Sequence, residues 1–299
     1  MELTNTNRLL LFINLFLAVL LSGIFFYSFK GSEKGSEQVI RSINLDKDFD
    51  FCGEKLPMDN FDVRQRLDAE LVRNVYFHSQ TILAIKRANA MFPVIEPILK
   101  AEGVPDDLKY LAVAESALSN AVSPAGARGI WQFMKAAASE YDLEVNDDVD
   151  ERYHLEKATR AACTYMRQQK ERLGTWTLAA AAYNGGPGRI KQEMANQRAQ
   201  TFFDLNLADE TMRYPFRIVA IKEVMTNPEL YEYQIKEDHL YNPVRDFKTV
   251  TVDGPVGSWG DFAVEHGTTY RMLKVLNPWL VSGKLTNKAG KTYQIRLPK

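Results

Sequence analysis

The sequence predicts a mainly α-helical protein with a small βααβ module at its C-terminal end. Apolar residues recur at helical spacing almost throughout residues 61–225. After Asn242 the pattern changes to two alternating segments, residues 247–252 and 292–297, that enclose two short helical segments. The chain has 299 residues, of which 45% are hydrophobic and 25% charged. These values suit two modest globular domains and exclude wholesale disorder or a fibre.

Individual helices can be read in order along the helical region. A helix is predicted to start at Pro105, where acidic residues fill the first turn, and a second one over residues 155–173. Residues 176–183 are apolar on all sides, which is typical of a buried helix. Pro93 and Pro97 are predicted to break the helix that contains them, because proline removes a backbone donor.

The N-terminal segment sets the expected compartment. Residues 9–29 form an uncharged, apolar stretch of 21 residues, long enough to span about 30 Å of bilayer. Because the apolar run continues past Ser22 and Gly23, an uncleaved anchor is favoured, and a cleaved signal peptide is the alternative. The predicted organisation is an anchor or signal segment (1–30), a Ser/Gly/charge-rich linker (31–55), a helical domain (56–240) and the C-terminal module (241–299).

Charge, cysteine and histidine usage exclude several function classes. A net charge of −1 lacks the basic excess of a dedicated nucleic-acid binder, so no nucleic-acid partner is expected. The four histidines are scattered and neither cysteine has a neighbour at zinc-ligand spacing, so no metal or cofactor is expected. Cys163 is predicted to be a buried free thiol. A Cys52–Cys163 bridge is the alternative, since the domain is expected outside the cytoplasm.

The most informative residue is Glu115. It falls on the apolar stripe of its predicted helix, together with Leu108, Leu111 and Leu118. A carboxyl group in apolar surroundings loses hydration, so its pKa should rise and it should stay protonated near neutral pH. That property suits a general acid that protonates a leaving oxygen. The alternative is a structural glutamate that bonds to the backbone or to an arginine.

A second candidate feature is the segment 123–133, in which small residues precede an aromatic and polar group. Glycine and alanine let the backbone approach a flat ligand closely, Trp131 and Phe133 offer apolar faces, and Gln132 offers an amide. The alternative is an ordinary turn followed by two core aromatics.

Four segments in this order resemble the lytic transglycosylases of the goose-type lysozyme superfamily, most closely their membrane-bound D type. The resemblance covers about residues 60–230 and implies a lysozyme-like helical domain. The matching segments are Glu115-Ser116, Gly129-Ile130-Trp131-Gln132, Ala181-Ala182-Tyr183-Asn184-Gly185-Gly186 and Glu210-Thr211-Met212-Arg213-Tyr214.

The resemblance implies a reaction and a set of site residues. It implies cleavage of the bond between N-acetylmuramic acid and N-acetylglucosamine in peptidoglycan strands, without water, to leave 1,6-anhydromuramoyl ends. It also implies a location on the periplasmic side of the cell envelope. Glu115 would be the acid and base, and six residues would line the glycan cleft or support Glu115: Ser123, Gln132, Tyr183, Asn184, Glu210 and Tyr214.

Glu210 and Tyr214 also carry a prediction of their own. Four positions apart on a helix, they should share one face, and if that face points into the cleft Tyr214 could bond Glu115 or the substrate. Glu210 could then fix a sugar hydroxyl or a backbone amide. The alternative is an exposed acid next to a core tyrosine.

The C-terminal module resembles a single LysM module, a small fold that binds glycan rich in N-acetylglucosamine. The matching segments include residues 249–252, Leu276-Asn277-Pro278 and residues 294–298. The usual Gly-Asp-Thr after the first strand is replaced by residues 254–258. A module kept only for packing is therefore the alternative to a glycan-binding one.

Two other functions compete with the lytic reaction. Ordinary glycosidases use two carboxylates, and the segment 123–133 contains no acidic residue. A hydrolytic lysozyme-like muramidase would need another acid, such as Asp142 or Asp147, to position a water. A non-catalytic wall-binding protein would be favoured if Glu115 were replaced, and it is present.

Overall fold

The computed structural model describes residue 13, residues 16–22 and residues 41–299. Residues 13 and 16–22 are helical, and the rest of the predicted anchor lies outside the described residues. Within the described part, no helix is long and apolar enough to cross a membrane. Residues Ile43–Lys299 form one compact unit, and all the elements below belong to it.

Residues 41–245 are dominated by helices, which confirms the mainly α prediction. The buried core forms where α8 packs against α1, α3 and α6. The helices are α1 (Phe61–Tyr76), α2 (His78–Ala101), α3 (Lys109–Ser116), α4 (Lys135–Glu140), α5 (Leu155–Leu173), α6 (Trp176–Gly185), α7 (Pro187–Gln197) and α8 (Asp209–Thr226).

Local sequence explains where the central helices begin and end. Helix α5 ends at Gly174, whose φ of +95° is a conformation that glycine adopts without strain. Helix α6 then begins at Thr175, whose Oγ1 accepts a hydrogen bond from the amide of Leu178 at 3.1 Å. As predicted, α6 is buried along most of its length, including every residue from Thr177 to Ala182.

Helix α2 corrects the predicted break at Pro93 and Pro97, because it runs unbroken through both prolines. The two prolines lie on the exposed side of the helix, opposite the buried Ile95, Ile98 and Leu99. The backbone carbonyls that lose a partner on the exposed side can be hydrated. Packing of the opposite face therefore offsets the two missing backbone hydrogen bonds.

The C-terminal end of the predicted linker is also different in the structure. Residues 50–55 form a small antiparallel hairpin of β1 (Asp50–Phe51) and β2 (Glu54–Lys55). Phe49 and Phe51 are buried in the main core. These two aromatic side chains outweigh the polar composition around them, so the chain is already anchored to the helical core before residue 56.

The C-terminal module has the predicted βααβ order. Strands β3 (Phe247–Val252) and β4 (Tyr293–Pro298) pair antiparallel and enclose helices α9 (Trp259–Glu265) and α10 (Tyr270–Leu276). Its core contains Trp259, Leu273, Trp279, Ile295 and Leu297, together with one residue from outside the module, Val149.

The two cysteines do not pair. Cys52 lies in the turn of the β1–β2 hairpin, Cys163 is buried on α5, and both thiols are free. Burial raises the pKa of Cys163 to about 12, so its thiol stays protonated. The prediction of a buried free thiol at Cys163 is confirmed.

Candidate active site

Glu115 lies in the last turn of α3, where the helix stops abruptly. Ala117 and Leu118, which follow shortly after Glu115, have φ angles of +48° and +57°. This left-handed backbone conformation is rare for residues that carry a side chain. The other residues of the predicted stripe, Leu108, Leu111 and Leu118, are buried, whereas Glu115 is partly exposed. Glu115 is therefore held at the edge of the core, with part of its surface exposed.

The surroundings of Glu115 favour its protonated form. Loss of hydration raises its pKa to about 7, against a smaller lowering by the hydrogen bond from Tyr214 and by the charge of Arg217. The hydroxyl of Tyr214 donates to Oε1 of Glu115 at 2.5 Å. Tyr214 is itself buried, and burial raises the pKa of its phenol well above the ordinary value. The pair can therefore hold and release a proton near neutral pH.

The segment between α3 and α4 folds over the end of α3 and is tied to it. The hydroxyl of Ser116 donates to the carbonyl of Ile130 at 2.8 Å. The amide of Gln132 donates to the carbonyls of Ala121 and Gly129, at 3.1 and 2.7 Å. Ser123 Oγ accepts from the amide of Ala127 at 3.0 Å. The Ser123 hydroxyl and the Gln132 amide nitrogen thus shape the loop in this structure.

The two aromatics of this segment point inward. Trp131 and Phe133 are buried, and Trp131 Nε1 donates to Thr159 Oγ1 at 2.9 Å. The alternative of a turn followed by two core aromatics therefore describes them, and they offer no apolar face to a ligand. The backbone carbonyl of Trp131 accepts a hydrogen bond from the hydroxyl of Tyr183 at 2.6 Å.

Tyr183 and Asn184 sit at the C-terminal end of α6, where α6 meets α8. The charge of Glu115 contributes to the raised pKa of Tyr183, although burial is the larger cause. Oδ1 of Asn184 accepts from Thr211 Oγ1 at 2.8 Å. A Cβ on Gly185 would lie 2.9 Å from the side chain of Thr211, so glycine permits this close approach of the two helices.

Glu210 binds an arginine that the sequence patterns did not single out. Its carboxylate accepts from Nη1 and Nη2 of Arg217, at 2.8 and 3.2 Å. Hydrogen bonding to Arg217 lowers the pKa of Glu210, and the charges of both residues act on Glu115. The spacing of seven positions on one helix was the available signal for this pair.

Two further acids were considered as positions for a hydrolytic water. Asp147 lines an open cleft beside the C-terminal module, and Asp142 occupies a left-handed turn with φ of +60°. Within the described residues, the charged groups that shift the pKa of Glu115 are Arg217 and Glu210, and neither aspartate is among them. The described residues also contain no cluster of three or more His, Cys, Asp or Glu suited to a metal ion.

Comparison with protein families identifies two domains. Residues 92–206 match the Transglycosylase SLT domain, and residues 248–299 match the Soluble lytic transglycosylase C-terminal LysM-like domain. Glu115, the segment 123–133 and helices α3 to α7 therefore lie in a lysozyme-like transglycosylase SLT domain, which a LysM-like domain follows, while α1 and α8 lie outside the matched residues.

The chain is homologous to membrane-bound lytic murein transglycosylase D. It is 29% identical to the Escherichia coli (strain K12) protein of that name over 222 residues, which cover 68% of this chain and 48% of the relative. The chain thus spans about half the length of the curated relative it matches.

Two solved structures align with part of the chain. The lytic transglycosylase Slt of Pseudomonas aeruginosa, solved as an inactive mutant, aligns over 52% of this chain and 27% of its own, with 20% identity and a TM-score of 0.39. The 70 kDa soluble lytic transglycosylase of Escherichia coli aligns over 50% of this chain and 26% of its own, with 17% identity and a TM-score of 0.39.

Proposed function

We propose that this chain is a peptidoglycan lytic transglycosylase and that Glu115 is its catalytic residue. The observation that carries the proposal is the carboxyl of Glu115, which has a pKa of about 7, is bonded by the buried Tyr214 and belongs to a partly exposed residue. The match of residues 92–206 to the transglycosylase SLT domain supports the substrate class.

The reaction needs one group that first gives and then takes a proton. Glu115 donates its proton to the glycosidic oxygen between N-acetylmuramic acid and N-acetylglucosamine, and the bond from that oxygen to C1 breaks. The C6 hydroxyl of the muramic acid then bonds to C1, and the carboxylate accepts the hydroxyl proton. The product carries a 1,6-anhydro ring, no water is consumed, and Glu115 is protonated again.

The remaining site residues take supporting roles in this proposal. Tyr214 orients the carboxyl of Glu115, and Tyr183 holds the loop through the carbonyl of Trp131. Asn184 fixes α6 to α8 through Thr211. Ser123 and Gln132 stabilise the loop through their hydrogen bonds within it. In this proposal the Ser123 hydroxyl proton and the Gln132 side-chain oxygen bond the glycan.

Digestion of purified sacculi tests the proposal against the hydrolytic alternative. Wild-type protein should release muropeptides that mass spectrometry finds lighter by one water than the products of a muramidase, and Glu115→Gln should release none. Products with ordinary reducing ends would instead support hydrolysis. Binding to sacculi without release of any product would support the wall-binding alternative.

The location in the cell envelope follows from the proposed substrate and from the homology to a membrane-bound protein. In this proposal residues 9–29 anchor the chain in the membrane, with the rest on the periplasmic side. Full-length protein should stay with membranes after a carbonate wash, whereas a chain that begins at residue 31 should not. A mature N-terminus between residues 24 and 30 in protein from cells would contradict the anchor.

The LysM-like domain is proposed to hold the enzyme on its substrate. Its match covers residues 248–299. Glu115→Gln protein, which should lack turnover, should still sediment with sacculi, as wild-type protein does. If Glu115→Gln protein stayed in the supernatant, the domain would serve packing alone.

A further inference from the structure

A segment of the SLT domain is built into the LysM-like module. Val149, between α4 and α5, has no exposed surface and lies in the module's core. The amide of Asp150 donates to the carbonyl of Trp279 at 2.8 Å, and the amide of Val281 donates to the carbonyl of Asp148 at 3.0 Å. Residues 148–150 thus run as an extra short strand along the module.

Side chains fix this junction on both sides of the strand. The carboxylate of Asp148 accepts from both the amide and the hydroxyl of Thr286, each at 2.7 Å. The hydroxyl of Tyr293 donates to the carboxylate of Glu144 at 3.1 Å. These bonds place the module at one fixed position against the segment that precedes α5.

The same segment supports the loop that is tied to the end of α3 beside Glu115. Arg152 and Asp150 are a buried ion pair, 4% and 2% exposed, with Nε to Oδ1 at 2.8 Å and Nη2 to Oδ2 at 2.7 Å. Nη1 of Arg152 donates to the carbonyls of Gly126 and Phe133, both at 3.2 Å. One guanidinium therefore ties two points of the loop together.

Gly129 shows how tightly the loop fits onto this segment. A Cβ at Gly129, where φ is +78°, would lie 1.9 Å from the carbonyl oxygen of Arg152. The next two residues, Ile130 and Trp131, accept hydrogen bonds from residues beside Glu115. Ser116 donates to the carbonyl of Ile130, and Tyr183 donates to the carbonyl of Trp131. A continuous set of contacts thus leads from the module through Arg152 to the end of α3.

We infer that Arg152 is a positioning residue for the reaction at Glu115, and that the LysM-like module keeps it in place independently of any glycan binding. This inference rests on the proposed function. It assigns the module a part in turnover, whereas a module that only binds glycan would affect affinity alone.

The first test uses Arg152 and a soluble, uncrosslinked glycan-strand substrate. Arg152→Gln removes the charge and the fork of donors, and should lower kcat at least tenfold with little change in KM. Arg152→Lys keeps the charge but not the fork, and should recover part of the loss. Equal kcat values for the wild type and both variants would overturn the inference.

The second test leaves Arg152 and the loop untouched. Thr286→Val with Tyr293→Phe removes two junction hydroxyls and keeps the module's apolar core, and should lower kcat several-fold. The matched control is Thr249→Val with Tyr270→Phe, the same pair of changes at exposed positions of the module. The control should keep wild-type kcat, and both double variants should sediment with sacculi as the wild type does.

The outcomes separate this inference from the proposed function. An inactive wild-type protein would contradict the proposed function, and the inference with it. An active wild type, with a junction variant whose kcat equals that of the control, would overturn only the inference. A higher KM with unchanged kcat in the junction variant would also overturn it, because the module would then act through binding alone.

Discussion

Two carboxylates, Glu115 and Glu70, occupy equivalent places on the apolar stripes of two helices and have opposite surroundings. Glu70 lies on α1 beside Leu67 and Leu71 and is 1% exposed. Arginines bond it directly, with Arg73 Nη1 and Arg213 Nε each 2.6 Å from Oε1. Among the residues that the structure describes, no cation bonds Glu115, and its partner is the phenol of Tyr214.

The comparison shows that a place on an apolar stripe does not by itself make a carboxyl group an acid. Two arginines bond Glu70 directly, and Arg213 joins it from α1 to α8. A neutral phenol and incomplete hydration leave Glu115 free to carry a proton. The partners therefore distinguish a structural carboxylate from a candidate acid.

The largest expected effect is the loss of turnover in Glu115→Gln, compared with the loss of stability in Glu70→Gln. Glu115→Gln should lower turnover on sacculi by about 10²–10⁴-fold, the range for loss of a general acid, because the amide cannot supply a proton. Glu70→Gln should instead cost about 1–3 kcal/mol of stability, because it breaks buried charged hydrogen bonds. Anhydro-product release and urea unfolding measure the two effects.

The opposite result for either variant would break the comparison. Turnover of Glu115→Gln within a few-fold of wild type would remove Glu115 from the mechanism. A large loss of turnover per folded molecule in Glu70→Gln would place Glu70 in the site.

The second effect concerns stability and pH. The pKa of Glu115 is raised from 4.5 to about 7, so its contribution to stability is present below about pH 4.5 and is lost as the pH rises through about 7. Glu115→Gln cannot ionise, so its stability relative to wild type should rise by roughly 3 kcal/mol as the pH goes from about 4.5 to about 7. Urea unfolding of both proteins at several pH values measures the difference. A difference that stays constant with pH would contradict the raised pKa.

The third effect isolates the phenol. Tyr214→Phe keeps the ring and removes the hydrogen bond to Glu115, and should lower turnover about tenfold, equivalent to about 1.4 kcal/mol at the transition state. Tyr110→Phe is the matched control, since Tyr110 is also buried and its hydroxyl lies 3.2 Å from Thr226 Oγ1. Steady-state rates of both variants provide the measurement. Equal rates would leave Tyr214 as a core residue.

The smallest effect should be a pair of shifts in opposite directions. Arg217→Gln removes a cation that lowers the pKa of Glu115, so the alkaline limb of the pH–rate profile should move to higher pH. Glu210→Gln removes an anion that raises it, so the limb should move to lower pH. The pH–rate profiles of the two variants are the measurement, and rates at the optimum should change less than about tenfold. Shifts in the same direction would show that the ion pair acts only as a structural link.

Sequence reasoning reached the features that short-range patterns determine. Helical spacing predicted the buried helix α6 and the position of Glu115, and a spacing of four residues placed Glu210 and Tyr214 on one face. The family resemblance predicted that Glu210 and Tyr214 lie near the glycan cleft. The contact between Tyr214 and Glu115 is among these predictions.

The features that were missed depend on partners distant in sequence. Trp131 points inward, where its indole nitrogen donates a hydrogen bond to Thr159. Nothing in the segment 123–133 indicates that partner. Glu70 satisfied the same stripe criterion as Glu115, yet its arginines come mainly from α8. Arg152 lies in a polar stretch of the sequence, which is typical of a surface residue. In the structure its guanidinium bonds two backbone carbonyls of the loop.

The shared segment also has a consequence for the order in which the protein folds. Asp148 and Thr286, which bond across the junction, are 138 positions apart in the chain. A contact this distant closes a long loop and so tends to form late. Val149 stays uncovered until residues 252–297, which form the rest of its core, have been synthesised and folded. The newly made SLT domain thus lacks the finished support of its loop until the LysM-like module has folded, so the segment around Glu115 would reach its final form only after the module does.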